Sequence, residues 1–274
     1  MDRKLIAIDL DGTTLNDQSL ITKETYATIQ KVIKQGHIVS IATGRSYRTS
    51  AHFYKELNLN TPMVNFNGAW CHHPIQENWE PGYHKTLDRK VALSLLSLNQ
   101  YSGVHLIAAE EKDKVYVDRN HEETPNFIIP IQLLNAKTLP FNESTLKNDP
   151  TSVNVFAINE NEVPVIQDKI ITKYGKDVEV RTWGGQTPTL EVVSAGIQKA
   201  MGVERVADYF NIRRENILAF GDEANDYEMI QYAGHGVVMK NGIDSLKEIS
   251  DDITSSTNDE NGLANYLTQY FNLR

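Results

Sequence analysis

Three features of the sequence predict an α/β fold built on a parallel sheet, with a smaller α+β unit inserted into it. Leu5-Ile6-Ala7-Ile8 is an unbroken apolar run ended by Asp9 to Gly12, the pattern of a strand buried on both faces. A helical stretch and a second apolar run follow it closely, which makes a βαβ unit and implies parallel pairing through a right-handed crossover. The same alternation returns near the C-terminus, whereas the middle of the chain shows strands at hairpin spacing.

Taken in order, the helix after the first strand runs from Thr22 to Lys34. Tyr26, Ile29, Val32 and Ile33 recur at helical spacing, Thr22 is suited to cap the N-terminus, and Gly36 is suited to stop the helix. His37 to Ala42 is the second strand. In the middle, Val104 to Ala109 and Lys114 to Asp118 read as strands joined by the turn Glu110 to Asp113. Thr151 to Ile158, Asp177 to Thr182 and Thr189 to Ser194 are further strands, with helices over 88–100 and 161–174. The last two strands flank Trp183-Gly184-Gly185-Gln186-Thr187-Pro188, a tight-turn composition. Near the C-terminus a helix over Lys199 to Phe210 leads into the strand Ile217 to Phe220. A helix over Tyr227 to Tyr232, a strand over Gly236 to Met239 and a helix over Gly262 to Phe271 follow. The expected division is a discontinuous catalytic domain of residues 1–83 and 192–274 around an inserted domain of residues 84–191.

Composition narrows the function. Of the 274 residues 40% are hydrophobic and 23% charged, an ordinary globular balance that argues against disorder. The 27 Lys and Arg against 36 Asp and Glu give a net charge of −9, so the bulk field repels polyanions. No nucleic-acid or membrane partner is expected, and a monomer or small homo-oligomer is. The single cysteine, Cys71, cannot form an internal disulfide, and the apolar run at the N-terminus is too short for a signal-peptide core. No run of 18 apolar residues is present. The expected location is the cytoplasm.

Chemistry-bearing residues gather at three strand ends. Asp9-Leu10-Asp11-Gly12-Thr13-Thr14 sets two carboxylates two residues apart after the first strand, where extended backbone points both to one side. Ligands of open α/β sheets bind outside such carboxyl ends. Thr43-Gly44-Arg45 follows the second strand, and a hydroxyl beside a glycine with free N–H groups suits a phosphate oxygen. Gly221-Asp222-Glu223-Ala224-Asn225-Asp226 follows the strand Ile217 to Phe220. Any one of these could be a plain turn; together they mark a site. The spacing of Asp9 to Gly12 does not match an EF-hand, and no nucleotide P-loop motif occurs. Cys71-His72-His73, with His84, does not make a zinc site, because adjacent side chains rarely converge on one ion. Arg45 and Arg48 are candidates for the neighbourhood of a substrate or for solvated helix positions, and Trp183-Gly184-Gly185 for a contact to the leaving group or a plain hairpin turn.

These motifs resemble the haloacid dehalogenase (HAD) superfamily of phosphatases. Asp-x-Asp-Gly-Thr at 9–13, Ala-Thr-Gly-Arg at 42–45, a later lysine and Gly-Asp-x-x-Asn-Asp at 221–226 carry the likeness. Asn67-Gly68-Ala69 and the tail Ser250 to Leu263 are similar to its Cof-type branch. The resemblance implies a Rossmann-like parallel-sheet HAD core with an inserted α+β cap of type C2B. It also implies Mg²⁺-dependent hydrolysis of small phosphate monoesters through an aspartyl-phosphate.

Asp9 would be the nucleophile, its ordinary pKa near 4 keeping it ionised. Asp11 would be the general acid and then the general base. Thr43, Gly44, Lys199 and Asn225 would hold the phosphate. Asp9, the backbone carbonyl of Asp11, and Asp222 would hold Mg²⁺, with Asp226 orienting the metal site or Lys199. Two departures from the family pattern stand out, Ala200 after Lys199 and Lys240 before Asn241, where glycines are common. The alternatives are a phosphomutase of the phosphomannomutase type and a non-catalytic sensor of phosphorylated metabolites. A binder has no need of a nucleophile and an acid placed together, which favours the enzyme. The family acts on sugar phosphates, pyridoxal phosphate, flavin mononucleotide and a phosphorylated pyrimidine of riboflavin synthesis, all open for this chain.

Overall fold

A computed structural model describes residues 2–119, 133, 136–183 and 188–273. In chain order its strands are β1 (Leu5–Ile8), β2 (Ile38–Ile41), β3 (Met63–Asn65), β4 (Trp70–His72), β5 (Tyr83–His84), β6 (Val104–Glu110) and β7 (Val115–Val117). After them come β8 (Thr138–Pro140), β9 (Ser152–Ala157), β10 (Val178–Trp183), β11 (Thr189–Ser194), β12 (Ile217–Gly221), β13 (His235–Val238) and β14 (Asp252–Ile253). The α-helices are α1 (Lys23–Lys34), α2 (Tyr47–Glu56), α3 (Arg89–Leu95), α4 (Glu162–Tyr174), α5 (Lys199–Tyr209), α6 (Tyr227–Tyr232), α7 (Asp244–Lys247) and α8 (Gly262–Tyr270). The chain divides into two compact units: Met1–Gly44, Ser50–Tyr83 and Gln198–Arg274 form the first, and Arg45–Thr49 with His84–Ile197 the second.

The first unit is organised by a five-stranded parallel sheet in the order β14-β13-β12-β1-β2. β1 lies inside it, and all four of its residues are buried, as a strand with neighbours on both edges and covered faces requires. Leu5 and Ala7 pack with Val203 and Val206 of α5 and with Met229 and Ile230 of α6. Alternation turns Ile6 and Ile8 to the other face. α1 is capped as its sequence predicts, the Thr22 hydroxyl accepting from the Thr25 N–H, and Gly36 takes a φ of +91° just beyond the helix end. From β1 the chain passes outward to β2, while β12 lies on the opposite side of β1. The direction of winding therefore reverses between β1 and β12, and their carboxyl ends form the crevice where open α/β sheets bind ligands.

Some elements were not expected from the sequence. α2 follows the Thr43-Gly44 segment, and three short strands form a separate sheet in the order β3-β4-β5. Asn65 Nδ2 donates to Ser50 Oγ at 2.9 Å, tying the end of β3 to α2. Arg45, in the bend just before α2, is buried and donates to the Thr49 carbonyl in the first turn of that helix.

The second unit is α+β. Its six-stranded sheet runs β10-β11-β9-β6-β7-β8, antiparallel except for the β7–β8 pair. One face is apolar: Ile107, Ala109, Val153, Val155, Leu190 and Val192 pack with Ala92 and Leu95 of α3 and Ile166 and Ile170 of α4. The turn residues 184–187 lie outside the described residues.

The other face carries a buried carboxylate. Glu110 stands opposite Ser152 in the β6–β9 pair; its Oε2 accepts from Arg48 Nη2 at 3.1 Å and its Oε1 from Asn154 Nδ2 at 3.0 Å. Burial outweighs Arg48, and with Glu191 nearby it pushes the Glu110 carboxyl up to about 7. A carboxyl that holds its proton more tightly when folded loses stability as pH rises from its unfolded value near 4.5 through 7. This group alone contributes a loss of roughly 3 kcal/mol across that window. Glu110→Gln is therefore expected to flatten the fall in stability between pH 5 and pH 8, measured by denaturant unfolding at both pH values. Equal falls in the two proteins would exclude Glu110 as the source.

Candidate active site

The first cluster is built where β1 and β12 end. Asp9 continues the ladder beyond β1, its N–H donating to Phe220 O at 3.1 Å. Residues Leu10–Thr14 then form one wide turn, closed by Leu15 N–H donating to Leu10 O at 2.8 Å and by the Thr14 hydroxyl donating to the Asp9 carbonyl. Gly12 has a φ of +70°, and a Cβ there would lie 2.1 Å from Asp222 Oδ2, so backbone conformation and close approach both demand glycine. Next to it, Thr13 Oγ1 donates to Asp222 Oδ1 at 3.0 Å. Asp11 is exposed on this turn, near enough that its charge helps raise Asp9.

The second half is the turn after β12. Asp226 is completely buried, and its Oδ2 accepts from the backbone N–H groups of Asp222 at 3.0 Å and Glu223 at 3.2 Å. Gly221 leaves room for it: a Cβ there would stand 2.4 Å from Asp226 Cγ. The carbonyl of Asp222 accepts from Ile243 N–H at 2.9 Å, and Asn241 Nδ2 donates to Gly12 O at 2.8 Å, so the loop after β13 braces both aspartate turns.

Lys199, the first residue of α5, joins the halves. It has no exposure to solvent, and its Nζ donates to Asp9 Oδ1 and Asp226 Oδ1, both at 2.7 Å. Burial alone would lower this ammonium, but Asp226 and Asp9 outweigh it and hold Lys199 above the ordinary lysine value. Ala200, where a glycine would be common, sits in the first turn of α5 and is itself buried without needing a left-handed φ.

Carboxylate oxygens of Asp9, Asp222 and Asp226 lie within 4.8 Å of one another, among the described residues the one such group of three. One ammonium does not balance three carboxylates. Burial, in the face of Lys199 and with Asp226 and Asp11 adding repulsion, pushes Asp9 up to about 7; burial with Asp9 and Asp226 pushes Asp222 up to about 9. The expectation that Asp9 keeps its ordinary value therefore needs correction, because its strand end is buried and shared with other carboxylates. Crowded carboxyls short of positive charge, all oxygen donors, fit a hard divalent cation. Gly12→Ala is expected to push Asp222 out of place and weaken binding of such a cation about tenfold or more, read from the cation-dependent rise in melting temperature. An unchanged rise would show that Asp222 holds its place against a Cβ.

The remaining sequence candidates fall as follows. Thr43, buried, follows β2; its N–H donates to Val64 O at 2.9 Å and its carbonyl accepts from Asn67 N–H at 3.2 Å. Gly44, also buried, comes next. Asn225 is half-buried, and its Nδ2 donates to Asn67 Oδ1 at 2.9 Å. Lys240 projects into solvent and has a negative φ, so lysine is accepted where a glycine is common, while Asn241 beside it makes the bridge to Gly12. Arg48 is engaged by Glu110, and Cys71, His72, His73 and His84 bond to different partners, Gly202, Asn65, Gln76 and Thr151, which disperses them. Thr13, Asn67 and Asn241 were given no role from the sequence. Thr13 and Asn67 stand in the motifs that carry the family likeness, but what each of the three braces shows only once the strand ends are brought together.

Comparison with known proteins follows the same lines. The family described as haloacid dehalogenase-like hydrolase matches residues 6–267. The chain is 40% identical over 269 residues, 98% of each chain, to the 5-amino-6-(5-phospho-D-ribitylamino)uracil phosphatase YitU of Bacillus subtilis. It is 30% identical over 290 residues, 97% of each chain, to YwtE of the same organism, which bears the same enzyme name. Among solved structures, a haloacid dehalogenase-like hydrolase from Bacteroides thetaiotaomicron superposes with a TM-score of 0.82 at 24% identity, covering 98% of this chain and 100% of the other. A HAD/COF-like hydrolase from Plasmodium vivax superposes at 0.84 and 23%, covering 100% and 97%. Sequence and fold agree, and the chain belongs to the haloacid dehalogenase-like hydrolases.

Proposed function

We propose that the protein is a Mg²⁺-dependent phosphatase that hydrolyses small phosphate monoesters through an aspartyl-phosphate, with the first unit as its catalytic core and the second as its cap. One observation carries the reading: a fully buried lysine pairs at once with Asp9 and Asp226 beside a third carboxylate, at the carboxyl ends of β1 and β12. A buried charge cluster is costly to keep, and a structural role would be met as well by apolar side chains.

In this reading the Asp9 carboxylate attacks phosphorus, the ester P–O bond breaks, and the leaving oxygen takes its proton from Asp11. Asp11 then accepts a proton from water, which attacks the phosphoryl group and frees Asp9 and inorganic phosphate. Lys199 holds Asp9 in place and supplies positive charge toward the phosphoryl oxygens, with Thr43, Gly44 and Asn225 completing the phosphate site. Asp226 fixes Lys199 and the backbone of Asp222. Asp9, Asp222 and the Asp11 carbonyl would hold Mg²⁺, which when bound offsets the repulsion between carboxylate and phosphate dianion.

The names of the Bacillus subtilis relatives make 5-amino-6-(5-phospho-D-ribitylamino)uracil the first substrate to try. No helix among the described residues is long and apolar enough to cross a membrane, and Cys71 is free and buried. A cytoplasmic location is part of the proposal, since a reducing compartment keeps a lone thiol such as Cys71 free. The test is phosphate release by the purified protein, with and without Mg²⁺, from that compound, sugar phosphates, pyridoxal phosphate and flavin mononucleotide, ranked by kcat/KM. Release from none of them would overturn the reading. An isomerised sugar phosphate without release would make the protein a mutase.

A further inference from the structure

The segment after β3 has a backbone that most side chains avoid. Phe66, Asn67 and Gly68 have φ values of +51°, +53° and +104°, three consecutive residues in the left-handed region. Glycine enters it freely and asparagine tolerates it, but a buried phenylalanine does so only when its surroundings force it. Such conformations gather at functional sites.

Two residues of this turn, Asn67 and Gly68, grip three different parts of the proposed site. The Asn67 N–H donates to Thr43 O at 3.2 Å. The Asn67 side chain, 1% exposed, accepts from Asn225 Nδ2 at 2.9 Å. Gly68 lies against the start of α5, where a Cβ would stand 2.1 Å from Gln198 O and 3.1 Å from Lys199 N, and its carbonyl accepts from the Tyr83 hydroxyl at 2.9 Å. One three-residue turn thus touches the three separate segments that present Thr43, Lys199 and Asn225. Asn67 Oδ1 can only accept, so it turns the amino side of the Asn225 carboxamide inward and fixes Asn225 as a hydrogen-bond donor.

We infer that Asn67 is a positioning residue of the phosphate site, acting through Asn225. This rests on the phosphatase reading above. Without Asn67 the Asn225 carboxamide is free to rotate and to present its carbonyl, which repels a phosphate oxygen.

The test is a double-mutant cycle on the full-length protein with p-nitrophenyl phosphate and Mg²⁺, with inorganic phosphate as the competing ligand. Asn67→Gly keeps the left-handed backbone and removes only the carboxamide, so the fold is retained. Asn67→Gly and Asn225→Ala are each expected to raise KM and the phosphate inhibition constant about tenfold, with a smaller effect on kcat, and the double variant to lose no more than either alone. Asn67→Asp, which still accepts from Asn225 but brings negative charge to the phosphate site, is expected to weaken phosphate binding more than Asn67→Gly does. Losses that multiply in the double variant, or an Asn67→Gly protein with wild-type constants, would overturn the inference. A wild-type protein that neither releases nor binds phosphate would overturn the phosphatase reading, and this inference with it.

Discussion

Asp9→Asn is expected to lower kcat roughly ten-thousandfold or more, because an amide of the same shape cannot form the aspartyl-phosphate. The variant should still fold. Asp9 lies 2.7 Å from Lys199, but Lys199 keeps its second partner, Asp226. Asp9 is also the main charge that raises Asp222 after burial, so its removal relieves repulsion in a crowded site. The melting temperature in the absence of divalent cation is therefore expected to equal or exceed that of the wild type, while the rise produced by Mg²⁺ shrinks. Measuring kcat together with melting curves, with and without Mg²⁺, separates lost chemistry from lost structure. Substantial turnover by a folded Asp9→Asn protein would remove Asp9 as the nucleophile.

Lys199→Met should cost both activity and stability. Methionine matches the length of lysine but leaves Asp9 and Asp226 buried, close together and without their cation. Breaking a buried ion pair from one side costs about 3–5 kcal/mol, since the remaining charge cannot reach water. kcat/KM is expected to fall about a thousandfold or more, as positive charge aimed at the phosphoryl oxygens is lost. Adding Asp226→Asn to Lys199→Met should restore part of the stability, because one of the two orphaned charges and its repulsion of Asp9 are gone, and none of the activity. Denaturant midpoints and phosphate release on both variants provide the check. A stable and active Lys199→Met protein would place Lys199 outside the chemistry.

Much of the first unit was legible because its central strands, β1 and β12, are short apolar runs that end sharply at Asp9 and Asp222. Leu5–Ile8 and the helix Tyr227–Tyr232 have their predicted ends, and in the second unit the strand Thr189–Ser194 does too. Met63–Asn65 and Trp70–His72 were not legible, because a strand of three residues has no period to read and is defined only by its partner. α2 was missed since Tyr47–Glu56 is mostly polar and buries only Ser50, Phe53 and Tyr54. In the site, the residue types and their strand-end positions were readable. The burial of Lys199 was not: its ion-pair partners are 190 and 27 residues away, and nothing in its neighbours Gln198 and Ala200 announces them. The same distance hid Thr13, Asn67 and Asn241, whose contacts lie across separate segments.

The pairing of β1 with β12, Leu5 opposite Ile217, has a consequence for how the protein is made. At roughly 5–20 residues per second, β12 leaves the ribosome some tens of seconds after β1. Until then β1 lacks one of its two edges, and an apolar strand with an open edge invites pairing with other chains. The entropy of closing so long a loop grows only with the logarithm of its length, about 0.6 kcal/mol for each doubling. Lengthening or trimming the intervening chain should therefore change the energy of the finished sheet little, and the time its first strand waits in proportion.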